Sequence, residues 1–239
     1  MEKLSNGIEI TYYGHSTFSI KSPSGKIILI DPWIQGNPSC PDELKDPEQV
    51  DVIAVTHGHF DHTGDLVEIA GKYSPAVIST FEIYAWLEGK GISNCLPINK
   101  GGSQTVDGIR FTMTHAQHSS SLKTEDGTLI YAGEPGGYII RLENGFSIYH
   151  AGDTNLFGDM KLIGEIYKPD LSMLPIGDVF TMSPFEASHA CRFLKSKYVI
   201  PMHYATFPML TGTPEELKEL TRDIEGLEVL DLKPGESLI

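Results

Sequence analysis

Residues 51–65 read Asp51-Val-Ile-Ala-Val-Thr-His57-Gly-His59-Phe-Asp61-His62-Thr-Gly-Asp65, and they constrain the chain more than any other stretch. The run Val52 to Val55 is short, apolar and β-branched, which reads as a buried strand. It ends in three histidines and an aspartate packed into six residues. Neutral imidazole and carboxylate are the ligands that borderline divalent metals prefer. One loop cannot turn all four side chains onto a single ion and still leave a coordination position open. The order therefore reads as two pairs, His57 with His59 and Asp61 with His62. A chance cluster of polar loop residues is the competing reading, and so dense a set of donors at a strand end disfavours it.

The chain has 239 residues with 40% hydrophobic and 21% charged content, ordinary for a soluble globular protein with a sizeable core. Its formal charge of −14 and the lack of a basic stripe argue against a protein that neutralises nucleic-acid phosphates. No apolar run reaches membrane-spanning length, and Met1 to Gly7 lacks the apolar core of a secretory leader. The three cysteines, Cys40, Cys95 and Cys191, are far apart and form no C-x-x-C pair. They read as reduced structural thiols, and the expected compartment is the cytoplasm.

Three strands are expected early, Ile8–Tyr13, Thr17–Lys21 and Lys26–Ile30, followed by an irregular segment from Ile34 to Val50 that either covers a substrate or merely decorates the surface. Beyond the histidine cluster the pattern predicts a helix over Gly64–Lys72, a strand over Ala76–Ser79 and a helix over Thr80–Glu88 capped by Thr80. Asn99 to Arg110 reads as turn-rich. Strands are then expected at Ile109–Thr114, Leu129–Ala132, Tyr138–Leu142, Phe146–Tyr149, Asp170–Leu174 and Tyr198–Pro201. A helix is expected from Leu156 to Ile166, and capping boxes at Ser183 and Thr213 start two more. No linker divides the chain, so residues 1–239 read as one domain of α+β class, with two mixed sheets covered by helices.

Donor side chains recur at strand ends: the 57–62 cluster, His118, Asp153 and His203. Five histidines and two aspartates make three terminal ligands for each of two metals, with one carboxylate left to bridge. The assignment is His57, His59 and His118 on one ion, Asp61, His62 and His203 on the other, and Asp153 between them. Two divalent cations carry four positive charges, and two carboxylates with a bridging hydroxide remove three. The site stays electrophilic, as ester hydrolysis requires. No G-x-S-x-G nucleophile motif competes, so hydroxide is the expected nucleophile.

This constellation resembles the metallo-β-lactamase superfamily over the whole chain. Gly14-His-Ser-Thr-Phe18, Asp31-Pro-Trp-Ile-Gln-Gly-Asn-Pro38, Tyr149-His-Ala-Gly-Asp-Thr154, Leu174-Pro-Ile-Gly-Asp178 and Ile200-Pro-Met-His-Tyr204 resemble its compact metal-dependent hydrolases related to ascorbate-6-phosphate lactonase. The resemblance implies an αββα four-layer sandwich with a dinuclear Zn²⁺ or Mn²⁺ site at one edge, and a homo-oligomer. The resemblance settles no substrate, but Asp153 as a bridge favours hydrolysis of a small lactone, phosphodiester or thioester, and the acidic charge and short apolar runs leave no nucleic-acid or membrane partner expected. Glu134 and Ala205 depart from the small residue and the glycine common there, which bears on pocket shape.

His118 is preferred over His115 as the ligand, leaving His115 as a strand cap or a supporting residue. His150 and His189 read as structural. His15, Asp61 and Asp178 are the catalytic candidates: His15 to bind a substrate anion or protonate the leaving group, Asp178 as an alternative acid/base. Tyr204 reads as an oxyanion donor or as core. Specificity is expected from Ile34–Val50 and Phe180–Ser183. The competing functions are a metal-dependent nuclease, a redox di-iron protein and a non-catalytic metal-binding member of the same fold.

Overall fold

The structure is a computed structural model that describes residues 7–239. The expectation drawn from the first residues of the chain falls on residues 1–6, outside that range. Strands β1 (Glu9–Gly14), β2 (Thr17–Lys21), β3 (Ile27–Ile30), β4 (Val52–Ala54), β5 (Ala76–Thr80) and β6 (Cys95–Ile98) build most of one sheet. The second sheet uses β7 (Ser103–Val106), β8 (Ile109–His115), β11 (Gly136–Arg141), β12 (Ser147–His150), β13 (Leu171–Pro175), β14 (Tyr198–Met202) and β15 (Glu228–Val229). β16 (Ser237–Leu238) returns to pair with β1, and β9 (Ser121–Lys123) with β10 (Leu129–Tyr131) forms a separate hairpin. In each large sheet one half is antiparallel and the other parallel: β3 to β6 in the first, β12 to β15 in the second.

The inner strands β3 to β5 and β12 to β14 are buried on both faces, which is why they read as largely apolar runs. In β3, Ile28 and Ile30 face the space between the sheets while Leu29 faces outward. Val52 and Ala54 against Ile53, and Ile200 against Val199, divide the same way. The inner layer is one cluster drawn from both sheets, including Ile10, Phe18, Phe111, Tyr138 and Met173. Outside the first sheet lie helices α2 (Leu66–Tyr73) and α3 (Phe81–Gly89), which bury Leu66, Ile69, Ile83 and Leu87. Outside the second lie α4 (Met160–Tyr167) and α5 (Pro184–Leu194), which bury Met160, Ile163, Ala187 and Leu194, and α6 (Pro214–Thr221), which buries Leu217. The order is helix, sheet, sheet, helix, the expected αββα sandwich.

Several elements differ from expectation. Phe60–Thr63 forms a one-turn helix, α1, so Asp61 and His62 sit on helical backbone. β6 carries Pro97 and β7 is polar, and both are sheet edges, where such residues are tolerated. The helix expected from Leu156 begins only at Met160. Ser183 makes the full capping box with Glu186, whereas Thr213 accepts from the Glu216 N–H without the return bond. The Ile34–Val50 segment is not a loose cover. Asp65 accepts from the N–H groups of Ile34 and Gln35 at 2.5 and 2.9 Å, and Asn37 donates to Gly14 O. All three cysteines are buried, and burial pushes Cys40 up to about 11 and Cys191 up to about 12. Among the described residues no helix is long and apolar enough to cross a membrane.

Two helical glycines are expected to respond in opposite directions. A Cβ at Gly164 would lie 2.5 Å from Phe193 O and 2.8 Å from Leu194 O, whereas at Gly71 it meets only Ile92 Cδ1 at 4.0 Å. Gly71→Ala should stabilise by up to about 1 kcal/mol through helix propensity. Gly164→Ala should cost about 1–3 kcal/mol because α5 must give way. Urea unfolding of the two variants reads both signs.

Candidate metal centre

The C-terminal ends of the parallel strands gather at one edge of the sandwich, where α/β architectures commonly place ligand sites. β3 delivers Asp31, β4 the cluster from Thr56 to His62, β12 Asp153 and β14 His203. β8 leads into the loop that holds His118. Seven predicted donors, drawn from four separate stretches of the sequence, meet there.

They fall into two groups. His57 Nε2 lies 3.0 Å from His59 Nδ1, and His118 Nε2 lies 3.3 Å from the same atom. Ligands about 2.0–2.1 Å from a tetrahedral cation stand about 3.3 Å apart, so this triad has the spacing of three ligands on one ion. Asp61, His62 and His203 form the second group. Asp153 Oδ2 lies between the groups, at 2.9 Å from His203 Nε2, 3.3 Å from His62 Nε2, 3.6 Å from His118 Nε2 and 4.0 Å from His57 Nε2. His62 Nε2 and Asp153 Oδ1 are buried and find no hydrogen-bond partner among the described residues. Buried orphans of this kind are costly unless a ligand completes them. A divalent cation fits both.

Electrostatics agree. Burial lowers His57, His59 and His118, with neighbouring histidines adding to it, and keeps them in the neutral form that donates a lone pair. His62 behaves differently. Burial opposes its charge, but Asp153 and Asp31 outweigh burial and push it well up. An imidazole that attracts a proton between two buried carboxylates marks a place that needs positive charge.

Asp31 is the functional residue that sequence reasoning missed. It is fully buried, with Oδ2 at 2.8 Å from His62 Nδ1 and 2.6 Å from the donating hydroxyl of Thr56. The Thr56 oxygen lies 3.0 Å from His57 Nδ1, and the Thr56 N–H donates to Asp31 Oδ1. With His57 and His62 both donating from Nδ1, both Nε2 atoms are free to ligate. One carboxylate thus sets the tautomer of a donor in each group. His59 is oriented the other way, with Nε2 at 3.4 Å from Ser119 Oγ and Nδ1 facing the site. The Asp31-Pro-Trp33 strand end was visible in the sequence, but a lone aspartate there carries no sign of its partners.

His15 is corrected from substrate contact to support. Its side chain is buried, with Nε2 at 3.0 Å from Asp61 Oδ2 and Nδ1 at 3.0 Å from Thr206 Oγ1. Burial lowers it to about 4, so it is neutral and donates to Asp61. Burial raises the Asp61 carboxyl, but the His15 hydrogen bond outweighs this and brings it to about 2. Asp178 is also corrected. It is exposed, its Oδ1 accepts from the N–H of Val179, and it does not line the cleft over the donors. Tyr204 points away to Asp231, at 3.5 Å. His115 lies outside the cluster, against Lys100 and Phe157, while His150 is buried on Ser16 O and His189 rests on Phe185. Ala205 has φ 58°, the left-handed conformation that glycine adopts freely, and Glu134 is exposed and accepts from Tyr131.

A cleft of about 360 Å³ opens over the cluster, with Phe60, Ser119 and Phe180 as its walls beside the donors. The Ile34–Val50 segment lines a different hollow, with Asp65 and Lys72, and so does not shape this one.

A cleft over paired His/Asp donors at the edge of an αββα sandwich defines a metallo-hydrolase. The Beta-lactamase superfamily domain matches residues 26–204. A UPF0173 metal-dependent hydrolase of Rubrobacter xylanophilus is 51% identical over 100% of this chain and 99% of its own. One from Koribacter versatilis is 49% identical over 97% of each. Igni18, a metallo hydrolase of Ignicoccus hospitalis, superposes with a TM-score of 0.85 at 37% identity, covering 96% of this chain and 97% of its own. The chain belongs to the β-lactamase superfamily and, within it, to the UPF0173 metal-dependent hydrolases.

Replacing Asp31 by Asn keeps the shape and removes the charge that holds His57 and His62. Metal affinity is expected to fall about 10–100-fold, as for other residues that orient ligands. Competition against a chromogenic chelator measures it.

Proposed function

We propose that this chain is a dinuclear hydrolase of small ester-type substrates, a lactone, thioester or phosphodiester, that uses Zn²⁺ or Mn²⁺. The observation that carries the reading is Asp153 Oδ2 standing between two complete donor triads. All-imidazole and carboxylate donors, with no thiolate, suit those cations. When bound, such a pair supplies a Lewis acid for the ester oxygen and acidifies water to a nucleophile near neutral pH.

The chain's own residues supply the rest. Asp61, held near 2 and fixed by His15, is a carboxylate facing the cleft and accepts the hydrogen bond of the attacking water. Asp31 and Ser119 keep the histidines in ligating tautomers. His203 is set through its backbone, where its N–H donates to His15 O at 2.7 Å. Phe60 and Phe180 form apolar walls of the cleft beside the donors.

Elemental analysis of the purified, reconstituted protein should return two metals per chain, and chelation should abolish turnover of a simple lactone or a chromogenic phosphodiester. Asp153→Ala should lose more than about 100-fold in kcat/KM, exceeding the loss typical of residues that only orient ligands. One metal per chain at full activity would sink the dinuclear reading.

A further inference from the structure

The cleft's walls restrict what the enzyme can accept. Among the described residues no lysine or arginine lines it; beside the donors there are Phe60, Ser119 and Phe180. A phosphoryl group remote from the scissile bond calls for guanidinium, ammonium or clustered backbone N–H donors. A second anion here would meet two phenyl rings.

Both rings are held in place. Phe60 leaves 57% of its surface to solvent, and its ring packs edge-on against Trp33 at 5.8 Å, which in turn stacks on Phe207 at 5.9 Å. Phe180 is 56% exposed and follows two consecutive left-handed residues, Asp178 at φ 67° and Val179 at φ 52°. That conformation is costly for a β-branched residue and persists only where its surroundings over-determine it. They do so here. The Asp178 carboxylate accepts from the Val179 N–H at 2.7 Å, and Asp178 O accepts from Phe180 N and Thr181 N. Asp178 N donates to Met182 O, and Met182 N donates to Thr154 O, beside Asp153. The turn is strained and bolted to the loop of the bridging carboxylate, and its product is an exposed phenylalanine at the cleft.

We propose that Phe60 and Phe180 form an aromatic clamp, and that the substrate is an ester or lactone bearing a flat, uncharged apolar group rather than a phosphorylated one. This rests on the hydrolase reading for the bond cleaved, but the clamp itself is a binding property. It also gives Asp178 its role, as a positioning residue for Phe180.

The test is calorimetric titration of the metal-loaded protein with two product-like carboxylates of equal length, 4-phenylbutyrate and 4-phosphonobutyrate. The phenyl compound should bind at least about 10-fold more tightly, the scale of one buried ring. Phe180→Ala and Phe60→Ala should each erase most of that difference and leave the phosphonate affinity unchanged, and Phe180→Leu should retain part of it. Both rings are exposed, so truncating them leaves the core intact. Equal or tighter binding of the phosphonate overturns the proposal, as does equal weakening of both ligands in Phe180→Ala, or binding of neither to the wild type. Turnover of γ-phenyl-γ-butyrolactone on the same preparation separates the two readings. A phenyl preference without hydrolysis removes the ester chemistry and keeps the clamp.

Discussion

One fully buried carboxylate, Asp31, organises the catalytic edge of this protein. Burying it costs several kcal/mol unless it is paired and hydrogen-bonded, and here both side-chain bonds that stabilise it also orient a metal donor. Thr56 carries its influence to His57, and His62 takes it directly. Disturbing this one group reaches donors of both triads.

The remaining donors depend on the sheets. Each triad combines residues that follow strands of the two sheets: His57 and His59 after β4 with His118 after β8, Asp61 and His62 after β4 with His203 after β14. A cation held by such a triad would join the two sheets, and its affinity would then add to resistance against unfolding. His15 ties the same edge through its side chain to Asp61 and through its carbonyl to the backbone of His203.

The metal donors were legible in the sequence because four of them crowd into residues 57–62 directly after an apolar run, a density that a structural histidine such as His150 lacks, and His118, Asp153 and His203 follow later strands. The layer order was legible too: runs such as Ile27–Ile30 and Val52–Ala54 are too uniformly apolar to face water on either side. What could not be read was whatever depends on a distant partner. His15 resembles a cleft residue until Asp61 and Thr206 take both its nitrogens. Asp178 has the look of an acid until its carboxylate closes on its own loop. β6, β7 and β9 escaped notice because edge strands tolerate the proline, serine and threonine that erase alternation.

The pairing of β1 with β16 joins Ile10 to Leu238 and Thr11 to Ser237, across almost the whole chain. During synthesis the first sheet can form early from β1 to β6, but one border stays unpaired until residue 237 is available. An open β edge is a template for intermolecular association, and contacts this remote in sequence are slow to form. The nascent protein therefore passes through a stage with that border bare and with His203, 188 residues beyond His15, not yet in place. Chaperone dependence and aggregation during expression should concentrate at that stage, before the donor group that needs His203 is complete.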